Sequence, residues 1–282
     1  MPDLPFHREQ LEFISSLASH RSPFLDPFFR FLNYFDSVYF FFALIPIIWI
    51  GFSYRWGLRT FYWFTLNSLV NTFAKNCFGW PRPSTDVPEL GFFHPSSNGF
   101  PSGGAQISLF LAGLLIYRWR SPAAWVIGLG YALLISFSRL YLGVHYPLDL
   151  LGGWAIAALL LALFVFTKAP LEKWLSKQPP LFLLFLSLMI PLVVLLISQR
   201  DSINYMMGSV MGVGVGTYFS LRFHLFLSSP KTAREALGRS LFGIALLFLV
   251  VIGWPAEFWL KSFTVGLFMS LLASPIYRWL TR

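Results

Sequence analysis

Three short stretches of this 282-residue chain carry side chains suited to one task, the handling of an anion. In KNCFGWPRP, Lys75 and Arg82 stand seven positions apart with Pro83 following. In FPSGGAQ, Ser102, Gly103 and Gly104 open an apolar run; a hydroxyl and the free amides of a helix start both favour a negative charge. In SRLYLGVHYPLD, Arg139 is followed by His145 and, four residues on, by Asp149. Two guanidinium forks and an ammonium match phosphate oxygens. A carboxylate beside a histidine orients the ring and raises its basicity.

The elements that must hold these residues are membrane spans. Only 12% of the residues are charged, about half the share of a soluble domain. Hydrophobic residues make up 56%, aromatic residues 19%, and the mean hydropathy is +0.63. Apolar segments near 34–52, 60–78, 103–119, 123–140, 149–167, 180–198, 203–221, 240–254 and 256–277 are each long enough to cross a bilayer. The reading is therefore an all-α, polytopic membrane protein of about nine transmembrane helices, the last two joined by a tight turn at Trp254–Glu257. With nine spans, one face receives 13 of the 21 Lys and Arg, and by the positive-inside rule that face is cytoplasmic. The three polar stretches then gather on the opposite, outward face, because they lie at the end of span two, the start of span three and the end of span four. That face is periplasmic, extracellular or lumenal.

Taken in order, the three stretches resemble the signature of the type 2 phosphatidic acid phosphatase (PAP2) superfamily, whose motifs run KxxxxxxRP, PSGH and SRxxxxxHxxxD. The resemblance covers roughly residues 30–165. It implies a PAP2-like catalytic core over 24–168, preceded by the segment 1–23 and followed by additional helices over 180–282. It implies a membrane lipid phosphatase in which His145 attacks phosphorus to form a phosphohistidine with help from Asp149. Lys75, Arg82, Ser102, Gly103, Gly104 and Arg139 would hold the phosphate, with neither metal nor other cofactor required.

The chain departs from that pattern at one place. The family's second motif carries a histidine that protonates the departing oxygen, and this chain has Gly104 there. General-acid help is worth about 10²–10⁴-fold, and a leaving alkoxide needs it far more than a leaving phosphate. The reading therefore favours a lipid diphosphate, such as a polyprenyl diphosphate, or another lipid phosphate as substrate. His94, ten positions upstream, is a possible substitute acid, whereas Gln106 cannot serve as one. A catalytically impaired lipid-phosphate binding or transport protein, or a lipid phosphotransferase, is the alternative.

Other features have plainer readings. Residues 1–23 lack a cleavable signal's apolar core; Leu4, Leu11, Ile14 and Leu17 fit an amphipathic helix on the membrane surface. Gly208, Gly212 and Gly216 recur every fourth residue, a pattern for close helix packing. A lone cysteine, Cys77, makes no internal disulfide, and no basic cluster interleaved with aromatics points to nucleic acid. The expected partners are the lipid substrate and the bilayer.

Overall fold

A computed structural model describes residues 6–198, 200–253 and 258–281. Leu4 and the expected turn at 254–257 lie outside them. Among the described residues the chain is helical, with no strand. The helices are α1 (His7–Ser19), α2 (Leu25–Leu32), α3 (Val38–Pro46), α4 (Tyr54–Phe78), α5 (Pro83–Asp86), α6 (Gly103–Trp119) and α7 (Pro122–Tyr141). They continue as α8 (Pro147–Leu175), α9 (Pro180–Ile197), α10 (Asp201–Arg222), α11 (Ala233–Gly253), α12 (Phe258–Leu267) and α13 (Ala273–Leu280). A 3-10 turn, Asn33–Asp36, links α2 towards α3.

Local sequence sets these boundaries. Ser102 caps α6 by accepting from the Ala105 amide, and Ser121 caps α7, where Pro122 takes the first turn's donor-free position. Helix α7 ends because Gly143 follows in the left-handed region at φ 69°, which returns the Val144 amide to the Arg139 carbonyl.

Among the described residues five helical stretches are long and apolar enough to cross a membrane: Pro122–Tyr141, Pro147–Leu175, Pro180–Ile197, Ala233–Ile252 and Trp259–Leu280. Two of the other four expected spans fall short for local reasons. Helix α6 has 17 residues, and α4, though 25 residues long, carries Asn67, Asn71 and Lys75. The protein is thus an all-α integral membrane protein; nine crossings remain an expectation of the apolar pattern.

The chain forms two compact units, Met1–Phe40 with Leu66–Lys168 and Phe41–Thr65 with Ala169–Arg282. In the first, Ile14, Leu90, Ala105, Leu140, Tyr146 and Leu150 form one core. Phe29, Leu32, Ile135, Tyr141, Leu142 and Val144 form another. Helix α1 spends its apolar stripe here: Ile14 is fully buried, with Leu11 and Leu17 packed beside it. The stripe read as membrane-facing is covered by protein. Gln10 on the same helix accepts a hydrogen bond from the Leu148 amide at 2.8 Å, which ties α1 to the turn carrying His145.

In the second unit, Trp49, Ile50, Phe61, Val213, Leu247, Val265 and Met269 build the core. The glycine stripe of α10 does what its spacing predicts. A Cβ at Gly208 would strike Ser262, one at Gly212 the Phe263 carbonyl, and one at Gly216 the Ser270 hydroxyl. Only a bare backbone allows α12 and the turn after it so close.

Candidate active site

The three sequence stretches converge within the first unit. Arg82, Ser102, Arg139, His145 and Asp149 are all buried, at 4% exposure or less. Each is held by backbone or by a neighbour in the cluster.

Asp149, in the first turn of α8, accepts two hydrogen bonds on Oδ2, from His145 Nδ1 at 3.0 Å and the Tyr146 amide at 2.9 Å. A carboxylate only accepts, so Nδ1 carries the imidazole proton. At the other ring nitrogen, Arg82 Nη1 approaches His145 Nε2 at 3.0 Å. A guanidinium only donates, so Nε2 presents its lone pair. The two contacts fix one tautomer and leave the unprotonated Nε2 towards the cationic side. Burial, with Arg82, Lys75 and Arg139 nearby, holds the His145 pKa well below its ordinary value. The ring therefore stays neutral.

Arg82 is locked by the loop around it. Its Nε donates to the Ser97 carbonyl at 2.7 Å, Nη1 to the Val144 carbonyl at 2.8 Å and Nη2 to the Ser97 hydroxyl at 2.9 Å. Burial lowers its pKa to about 10, so it remains charged at neutral pH. Lys75 Nζ donates to the carbonyls of Asn98 and Gly99, at 2.6 and 2.9 Å, while Asn98 donates back to the Lys75 carbonyl at 2.9 Å. The loop from 97 to 102 is thus clamped between the end of α4 and the start of α8, where the Ser102 amide donates to the Asp149 carbonyl at 2.8 Å.

Small residues make the convergence possible. A Cβ at Gly153 would lie 2.6 Å from the Ser102 carbonyl, and one at Gly99 would lie 3.2 Å from Asp149 Oδ2. Beneath the loop, Asn71 donates to Gln106 at 2.8 Å, and Gln106 donates to Asn67 at 2.9 and 3.0 Å. This polar ladder joins α4 to the first turn of α6. Gln106 is consumed by it.

Arg139 is held differently. Nη1 donates to Asn33 Oδ1 at 2.8 Å and to Asp36 Oδ2 at 2.9 Å, and Nε and Nη2 donate to the Ser138 hydroxyl at 3.1 and 3.0 Å. Asn33 and Asp36 went unremarked in the sequence, although an acid inside the apolar run FLNYFDSVYFFF was a visible anomaly. Asp36 also faces Gly104: a Cβ there would meet the Asp36 carboxylate, with Oδ1 at 3.1 Å. His94 is exposed, its Nδ1 turned to the Ser84 carbonyl at 3.2 Å.

The arrangement can therefore receive an anion between fixed cations and present a neutral imidazole nitrogen to it. Among the described residues no group of three or more His, Cys, Asp or Glu is placed to hold a metal ion.

The PAP2 superfamily matches residues 56–173. Phosphatidylglycerophosphatase B of Bacillus subtilis is 33% identical over 153 residues, which cover 50% of this chain and 73% of that protein. Undecaprenyl-diphosphatase of Sulfolobus acidocaldarius is 34% identical over 82 residues, but these span only 28% of this chain and 39% of the relative. The crystal structure of a transmembrane PAP2-type phosphatidylglycerolphosphate phosphatase from Bacillus subtilis superposes with a TM-score of 0.50 at 27% identity, over 60% of this chain and 89% of that one. With its motifs gathered at one buried site and a relative matched over most of its length, this chain belongs to the PAP2 superfamily.

Proposed function

We propose that the protein is an integral-membrane lipid phosphatase working through a phosphohistidine on an outward-facing site. The observation that carries the proposal is the buried His145, with Nδ1 on Asp149 and Nε2 bare of a proton beside Arg82. In the first half-reaction Nε2 attacks phosphorus, the N–P bond forms and the bond to the leaving oxygen breaks. In the second, water attacks phosphorus, the N–P bond breaks, and inorganic phosphate leaves. Arg82, Arg139, Lys75, Ser102 and the amides of Gly103 and Gly104 oppose the charge on the phosphoryl oxygens. Such fixed donors act strongly where water is excluded.

The reaction asks least of the site when the leaving group is itself a phosphate, so a lipid diphosphate is the first substrate to test. That two relatives bear the names of a lipid diphosphatase and a lipid monophosphatase supports a lipid phosphate in general. Phosphate release from matched lipid diphosphate and monophosphate, in detergent or vesicles, tests the reading. Wild type should release phosphate, and His145→Ala should fall to background. Binding of the lipid without release would favour the second reading, a lipid-phosphate binding or transport protein; Gly104 is the residue that favours it.

A further inference from the structure

Turnover of an alkyl phosphate requires a proton for the departing oxygen, and the position where the family carries its donor is Gly104 here. His145 is the nucleophile and Asp149 holds its other nitrogen. Arg82 and Arg139 do not release protons in proteins. Lys75 donates to two backbone carbonyls and keeps its third N–H for the phosphate charge. His94 is turned to the Ser84 carbonyl.

The carboxyl that stands against Gly104 is that of Asp36. Its side chain is 15% exposed and pairs with Arg139 at 2.9 Å. Lys75 and Arg82 act on this carboxyl electrostatically as well. It fills the space above Gly104, and any side chain at 104 would collide with it. The turn Asn33–Asp36 is fixed from both sides: Asn33 shares Arg139, and the Tyr131 hydroxyl donates to the Phe35 carbonyl at 2.9 Å. The glycine at 104 is thus not a vacancy. It is the room that a carboxyl from another element requires.

We infer that Asp36 is the general acid and base of this site, supplied from the turn before α3, and that it extends the substrate range to lipid phosphomonoesters. The inference rests on the phosphohistidine reading above. A phosphate monoanion arriving at the Arg139–Asp36 pair takes over Arg139 and leaves its proton on Asp36. As His145 Nε2 bonds to phosphorus and the P–O bond breaks, that proton passes to the leaving oxygen and the free alcohol departs. Asp36, now a carboxylate, takes a proton from the water that attacks the phosphohistidine. Breaking of the N–P bond then yields phosphate, a neutral His145 and a protonated Asp36.

The experiment compares two monoesters on each purified variant: a lipid phosphate, whose alkoxide needs a proton, and p-nitrophenyl phosphate, whose leaving group does not. Asp36→Asn should lower kcat/KM, which reads only the half-reaction that expels the leaving group, by about 10²–10⁴-fold for the lipid phosphate, the usual worth of general-acid help, and by less than about 10-fold for the aryl phosphate. The ratio is internal to each sample, so partial misfolding cancels. Asp36→Ala/Gly104→His, in which the vacated space admits an imidazole, should turn over the lipid phosphate faster than Asp36→Ala. An equal loss on both substrates, or a rise in KM alone, would mean that Asp36 only positions Arg139, and no loss on either would leave it without a role; each outcome overturns the inference. Wild type and His145→Ala run alongside: release that survives in His145→Ala sinks the phosphohistidine reading itself, and silence of wild type on both esters sinks the general-acid role.

Discussion

At the residue scale, the chemistry depends on one protonation state. Three cations and burial favour neutral imidazole at His145, as its proposed role as nucleophile demands. Because its pKa is depressed, the ring stays unprotonated as pH falls through the ordinary histidine range. The acid limb of kcat/KM should accordingly lie below about 6.5. Arg82→Gln removes the cation nearest Nε2, so the limb should move upward. The substrate's own ionisation is common to both proteins, and the difference between their pH profiles reads the enzyme. An unmoved limb would detach Arg82 from the titration of His145. Most of this cluster was legible as sequence, because Lys75–Arg82 and His145–Asp149 are separations along the chain. Asp36 was not. Its meeting with Gly104 and Arg139 joins residues about seventy and a hundred positions apart. A missing side chain at 104 gives no hint of what fills its place.

At the element scale, the site exists because α8 crosses the start of α6 closely. Gly153 permits that crossing, since its hydrogen faces the Ser102 carbonyl and the Gln106 amide. Gly153→Val should push the two helices apart, at about 1–3 kcal/mol, the usual cost of overpacking. It should also pull Ser102 away from Asp149. A lower midpoint of thermal unfolding in detergent, together with reduced kcat, is the expected result. Gly130→Ala in α7 is the control: its Cβ would enter open space, and an alanine is favoured in a helix interior by about 0.5–1 kcal/mol. If both variants melt like wild type, the crossing is looser than described. Helix existence and the α10 glycine stripe could be read from apolar runs and spacing. The boundaries of the early spans could not, because α4 and α6 trade apolar residues for the Asn71–Gln106–Asn67 ladder that supports the loop. Likewise the burial of α1 against the His145 turn was hidden, since an amphipathic stripe looks the same whether lipid or protein covers it.

At the scale of the whole molecule, composition identifies the solvent, and charge supports the proposed orientation. Setting aside the residues proposed to hold the phosphate strengthens the expected asymmetry: with nine spans the outward face would hold 8 of the 21 Lys and Arg, and Lys75, Arg82 and Arg139 are three of them. The remaining 5 face 13, a bias in the sense that sets orientation. Among the described residues Cys77 is a free, exposed thiol two residues beyond Lys75, and it is the chain's sole cysteine, which makes it a reporter for the catalytic side. In intact cells a membrane-impermeant maleimide should label Cys77. In a Cys77→Ser background, Ser176→Cys, in the exposed turn between α8 and α9 beside Lys173 and Lys177, should react only after the membrane is opened. The reverse pattern would turn the site towards the cytoplasm and assign the 13 basic residues to the outer face. The lipid phosphate would then have to be presented from the inner leaflet, so this labelling decides which leaflet supplies the substrate.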